Sequence, residues 1–135
     1  MLMFDKDFTS CPVKDGDEIF QNGFFDFNIT KMIDFIHSNP TDFVAEEVSV
    51  DEFPREFSSI NEEHIEKVQI HEPVILAEIS PDRYNLIDGN HRMDKARRSG
   101  IEHMKAYRLS VQQHIRFLTS MQAYKAYVEY WNSKL

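Results

Sequence analysis

Tyr84-Asn85-Leu86-Ile87-Asp88-Gly89-Asn90-His91-Arg92-Met93-Asp94 constrains the fold of this chain more than any other stretch. It reads as a buried strand running straight into a helix whose first turn is basic. The helix macrodipole places roughly half a positive charge at its N-terminus, so His91 and Arg92 oppose it unless something negative shares the place. A phosphate resolves the conflict, because backbone N–H groups, dipole and both cationic side chains then converge on one anion. Upstream, Pro73-Val74-Ile75-Leu76-Ala77-Glu78-Ile79 is a strongly apolar strand, and Ser80-Pro81-Asp82-Arg83 turns it back into Tyr84–Ile87 as a hairpin.

The rest of the chain places further elements around this junction. Residues 1–27 are acidic, aromatic and irregular, with Lys14-Asp15-Gly16-Asp17 as a turn and Phe20, Phe24, Phe25 and Phe27 as lids on the core. Ile29, Met32, Ile33 and Ile36 recur at helical spacing from Asn28 or Thr30 until Asn39-Pro40 stops them. Val44 to Phe53 alternates as a strand with one wet face. Ser59-Ile60-Asn61-Glu62 has the capping-box pattern and opens a helix to about Gln69. A helix from Asn90 to Ser99 closes at Gly100, and Ile101–Leu109 has the length of another strand. Ser110 with Gln113 is again a capping box. The apolar stripe Val111, Ile115, Leu118, Met121, Tyr124, Val128, Trp131 then predicts one C-terminal helix, or two broken near Thr119-Ser120.

At 135 residues, 41% hydrophobic and 28% charged, the chain is expected to form one domain. Its lone Cys11 has no internal disulfide partner and reads as a structural thiol in a reducing compartment. No apolar run approaches the ~18 residues of a membrane span. The first dozen residues, with Asp5, Lys6 and Asp7, lack a signal-peptide core, so the expectation is a cytoplasmic protein without a membrane partner. The net charge of −8 disfavours duplex DNA as a partner. Its distribution is uneven: residues 1–90 hold 20 acidic and 6 basic side chains, residues 91–135 hold 3 and 9. Such asymmetry marks a local anion site on an acidic protein. His37, His64, His71, His91, His103 and His114 include no pair at the i, i+4 spacing of a helical zinc site.

The order helix, strand, turn, strand, Asp-Gly-Asn-His-Arg, helix, Gly, strand resembles the ParB/sulfiredoxin superfamily, most clearly over Val48 to Leu109. Three segments carry the resemblance: Pro73-Val74-Ile75, Leu86-Ile87-Asp88-Gly89-Asn90-His91-Arg92, and Ala96-Arg97-Arg98-Ser99-Gly100. It implies a small α+β domain with a short mixed sheet, flanking helices and a C-terminal helical extension. The core would span about 44–109 and the extension about 110–134, with nucleotide phosphates held at the turn and helix N-terminus. The family includes ParB proteins that bind and hydrolyse CTP, sulfiredoxins that use ATP, free-serine kinases that use ADP, and ParB-like nucleases. Sulfiredoxins have Cys directly before the His-Arg pair, where this chain has Asn90. Chromosome-partition ParB proteins carry a Gly-Glu-Arg-Arg stretch and continue into a helix-turn-helix, and this sequence shows neither. The Asp-Gly-x-His-Arg form is most similar to the free-serine kinase branch, where a Glu ahead of the helix is the general base. That implies Glu56 for the role, with Arg55, Glu52 and Asp51 competing for the position.

Phosphoryl transfer needs charge neutralisation, alignment and an oriented nucleophile. Gly89 lets the backbone turn tightly against a phosphate, Asn90 caps the helix or donates its amide, and His91 and Arg92 donate to phosphate oxygens. Asp88 is positioned to bind Mg²⁺ or simply to bond nearby backbone N–H groups. Arg92 is weighed against a surface salt bridge with Asp94 or an acidic neighbour, and His91 against a satisfied structural imidazole. Arg97 is the further cation expected to reach the anion, while Asp94 and Arg98 read as a solvated face. The expected function is a Mg²⁺-dependent phosphotransferase or nucleotide hydrolase using ATP, ADP or CTP, with a small-molecule acceptor. The alternatives are a non-catalytic nucleotide-sensing or DNA-associated module, or a nuclease with a basic groove from residues 91–135.

Overall fold

A computed structural model describes residues 1–23, 25–53 and 71–135. The protein is α+β. Its elements are β1 (Ile19–Asn22), β2 (Phe25–Asn28), α1 (Ile29–Ser38), β3 (Glu46–Ser49), β4 (Val74–Ser80), β5 (Arg83–Asp88), α2 (Asn90–Arg98), β6 (His103–Leu109), α3 (Val111–His114) and α4 (Met121–Ser133). Strands β1 and β2 pair alone, and the other four form a sheet in the order β3-β6-β4-β5. By contact density the chain divides into two compact units, Met1–Phe43 with Ala77–Asn85 and Leu109–Leu135, and Val44–Leu76 with Leu86–Arg108. No helix among the described residues is long and apolar enough to cross a membrane.

In the first unit, the hairpin of β1 and β2 is antiparallel, with Phe20 opposite Phe27 and Gln21 opposite Asp26. It lies in the stretch whose sequence reads as irregular. Phe25 and Phe27 are buried, and a further bridge joins Phe27 to Leu118. Helix α1 starts where Asn28 accepts from the Lys31 N–H at 3.1 Å, and the amide of Asn28 donates to the Pro12 carbonyl and to Asp17. Ile29, Met32 and Ile36 form its buried stripe, and Asn39 caps its end ahead of Pro40. The expected capping box is present after β6: the Gln113 side chain accepts from the Ser110 N–H at 2.8 Å. That helix is only one turn. A 3-10 turn over Ile115–Phe117 follows, and α4 restarts where Ser120 Oγ accepts from the Ala123 N–H. The C-terminal region is thus two helices. Tyr124, Tyr127 and Val128 bury its stripe, with Phe8 stacked on Tyr124 at 4.0 Å. Cys11 is buried, its N–H bonded to the Leu118 carbonyl, and burial raises its thiol pKa.

In the second unit, β3 and β6 are antiparallel, with Val48 opposite Met104 and Glu46 opposite Ala106. The strand expected to reach Phe53 ends at Ser49, because Val50–Glu52 coils into a 3-10 turn. Val50 still alternates inward, and its N–H bonds to the Glu102 carbonyl at 2.9 Å. The helix expected from Ser59 to about Gln69 lies outside the described residues.

Candidate functional site

Strand β5 ends at Asp88, Gly89 follows with φ 101°, and α2 begins at Asn90. Glycine is required here by two constraints. A left-handed φ is open mainly to glycine, and a Cβ on Gly89 would lie 2.4 Å from Val74 Cγ1 and 2.9 Å from an Arg92 amino nitrogen. The turn therefore presses its backbone against β4. Gly89 is the N-cap, and its carbonyl accepts the first helical bond from the Met93 N–H. Asn90 is consequently the first helical residue and not the cap, which corrects one of its two expected roles. Gly89 has no side chain to cap the first turn, and no acidic residue stands in that turn. The basic pair is thus placed where an anion is favoured.

Arg92 turns back toward the strands. One amino group donates to Asp88 Oδ2 at 3.1 Å and to the Pro73 carbonyl at 3.2 Å. Its partner is Asp88, one helical turn before it, and not Asp94. Both side chains are largely buried, at 17% and 13% exposure, so this pair is better shielded from water than a surface ion pair. The Arg92 Nε is buried and has no hydrogen-bond partner among the described residues. Asn90 and His91 are half-buried beside it.

The other end of α2 is organised by Asp94. The sequence suggests a solvated side chain, yet Asp94 is 1% exposed and pairs with Arg97 Nη1 at 3.4 Å and Arg98 Nε at 2.7 Å. It is buried, as Met93 and Ala96 are, and two arginines neutralise it. Arg97 also donates to the Phe53 carbonyl at 2.5 Å. Along a helix that rises ~1.5 Å per residue, Arg97 is about 10 Å beyond Asn90. Arg97 therefore ties α2 to the turn after β3. That turn carries Asp51 and Glu52, both exposed, and is anchored at Arg97 and Glu102. Glu56 and Arg55 lie outside the described residues.

Compared with protein-family models, curated proteins and solved structures, the chain matches none.

The structure brings together Asp88, Gly89, Asn90, His91 and Arg92, and places Arg97 at the opposite end of the same helix. Sequence reasoning missed the Pro73 carbonyl and Val74, which no local pattern announces. A salt bridge of Arg92 with an acidic neighbour was among the alternatives, with Asp88 not named as the partner, whereas the Asp94–Arg98 pair was missed although the two stand at i, i+4. Among the described residues no group of three or more His, Cys, Asp or Glu side chains is assembled for a metal. The carboxylate at the turn, Asp88, is held by Arg92.

Proposed function

We propose that the first turn of α2 holds the phosphates of a nucleotide, and that the protein is a Mg²⁺-dependent phosphotransferase or nucleotide hydrolase. The observation that carries this reading is a helix entered through a bare glycine N-cap, with no acid in its first turn and with His91 and Arg92 upon it. Backbone N–H groups and the dipole supply a favourable field, and the two side chains supply donors. With phosphate bound, Arg92 would donate to phosphate oxygens in place of Asp88, and Asp88 would be the carboxylate available to hold Mg²⁺. Mg²⁺, when bound, neutralises charge on the transferring phosphoryl group. His91 orients a phosphate oxygen by donation. Glu56, by its resemblance-based assignment, accepts the proton of the attacking hydroxyl or water.

The intact Asp88–Arg92 pair favours a second reading, a nucleotide-binding module without turnover, in which the pair simply closes the turn when no nucleotide is present. Calorimetry of ATP, ADP and CTP with and without Mg²⁺ tests both. Arg92→Ala is expected to weaken nucleotide binding about tenfold to hundredfold, the value of a charge-assisted contact of about 1.5–3 kcal/mol. Because Arg92 also holds Asp88 and Pro73, the variant must first be shown to be folded by circular dichroism. Equal affinity in a folded Arg92→Ala protein overturns the site. Nucleotide conversion by wild type, read by mass spectrometry with candidate hydroxyl acceptors such as free serine, separates enzyme from module.

A further inference from the structure

The first unit buries a titratable ring that the anion site does not use. His114, the last residue of α3, is fully buried, with Nε2 2.7 Å from the main-chain oxygen of Glu78 in β4. The Tyr127 hydroxyl, from α4, donates to the same oxygen at 2.6 Å and lies 3.3 Å from His114 Nε2. Facing a carbonyl, Nε2 must carry the proton of the neutral ring, which leaves Nδ1 bare. Nδ1 is buried and has no hydrogen-bond partner among the described residues.

A carboxylate stands near the pair, since, beside burial, the charge of Glu78 acts on the Tyr127 hydroxyl and helps raise its pKa. From β2 comes Phe27, its ring edge-on at 5.2 Å, and from α4 comes Tyr127 at 5.3 Å. Burial raises the phenol pKa of Tyr127 far above its ordinary value, so it stays protonated. From β4 comes Glu78, whose side chain accepts from the Asp82 N–H at 3.1 Å. No carboxylate among the described residues is within ion-pair distance of His114.

We propose that the Glu78 carbonyl, His114 and Tyr127 form an acid-released latch, in which one oxygen fastens α3 and α4 to β4 until a proton arrives at Nδ1. A proton there would put a charge into an apolar setting, which opposes the closed state, and the ring's hydrogen bonds to the main chain of Glu78 and of His114 itself offset only part of that cost. Burial accordingly lowers the imidazole from 6.5 to about 4. The folded value is the lower one, so the latch is at full strength above 6.5 and weakens as pH falls toward 4. Linkage makes opening about 20-fold more favourable at pH 5 than at pH 7, and roughly 200-fold well below pH 4.

Two measurements on the full chain test this. In the first, the ring protons of His114 are followed by NMR from pH 7.5 to 3.5. They should stay in the neutral position down to about pH 5, and a midpoint near 6.5 in the folded protein overturns the proposal. The second is amide exchange along α4, corrected for intrinsic rates, with Trp131 fluorescence as a companion probe, since its ring is 6.4 Å from that of Tyr127. Opening should rise about 20-fold between pH 7 and 5 in wild type. His114→Gln, which can still donate to the Glu78 carbonyl but takes up no proton, should lose that rise. Tyr127→Phe should open faster at every pH and keep the pH dependence. A His114→Gln protein with the wild-type pH profile overturns the latch. If that variant does not fold, the NMR midpoint and Tyr127→Phe decide, and a Tyr127→Phe profile flat with pH counts against it.

Discussion

Giving Gly89 a methyl group would drive that carbon into Val74 Cγ1, 2.4 Å away, on a backbone already at φ 101°. Gly89→Ala is therefore expected to lower stability by about 2–4 kcal/mol, combining left-handed strain with overpacking. Urea unfolding should show the midpoint falling with little change in slope. Adding Val74→Ala should return part of the loss, since it removes the nearest of the clashing atoms. Fully additive losses would mean that the contact with Val74 is not the cause. The same scale holds the question of turnover. If Glu56 is the base, Glu56→Gln should keep nucleotide affinity while product formation falls about 10²- to 10⁴-fold. Full activity in that variant removes Glu56 from the mechanism. The Gly89 turn was legible because a glycine between a strand and a basic helix start has few explanations. The Asp88–Arg92 bond was not, because the sequence shows the spacing of two charges but not which of several acids an arginine chooses.

Helix α2 illustrates what periodicity leaves open. Its bounds were readable from Gly89 and Gly100, but Asp94 and Arg98 look solvated in sequence, and only packing shows that Asp94 is buried. Asp94→Asn is expected to cost about 2–3 kcal/mol. The loss falls short of a fully buried pair because Arg97 and Arg98 remain 26% and 35% exposed. Chemical denaturation measures it. If Arg97 serves the turn after β3 and not the anion, Arg97→Gln should lower stability and leave nucleotide affinity within about twofold. A tenfold loss of affinity would restore Arg97 to the phosphate. The hairpin of β1 and β2 was missed for a different reason. Phe25 and Phe27 do alternate with Asp26 and Asn28, but Asp and Asn disfavour strands and each strand has only four residues. The same brevity hid the end of β3, where Val50 keeps the inward alternation while its backbone has already coiled. At the C-terminus, Ser120 accepts from the Ala123 N–H and restarts a helix that the apolar stripe alone shows as continuous. Ser120→Ala should cost about 1 kcal/mol, read as a lower thermal midpoint.

Over the whole molecule the charges are segregated, with a balance of −14 over residues 1–90 and +6 over residues 91–135. A nucleotide approaching α2 must cross the field of an acidic protein to reach a short basic stretch. Raising salt shortens the screening length from roughly 10 Å at 0.1 M to 3 Å at 1 M, weakening the close attraction at the site and the repulsion around it. If the partly buried Asn90, His91 and Arg92 hold the phosphates, their contacts would be less screened, and nucleotide affinity should change only a few-fold across that range. A fall of three orders of magnitude would indicate a polyanion footprint of the kind nucleic acid requires.

The two units share β4 and β5. Val74–Leu76 and Leu86–Asp88 belong to one, while Ala77–Ser80 and Arg83–Asn85 belong to the other. Neither is an uninterrupted stretch of chain, so no pair of stop codons isolates either. A chimera that transplants the Gly89 turn into another protein would have to be spliced near residues 76 and 86, both in mid-strand, where each junction interrupts a hydrogen-bonded ladder. The practical cassette is the whole of β4 through α2, residues 74–98, carried with the hairpin tip intact.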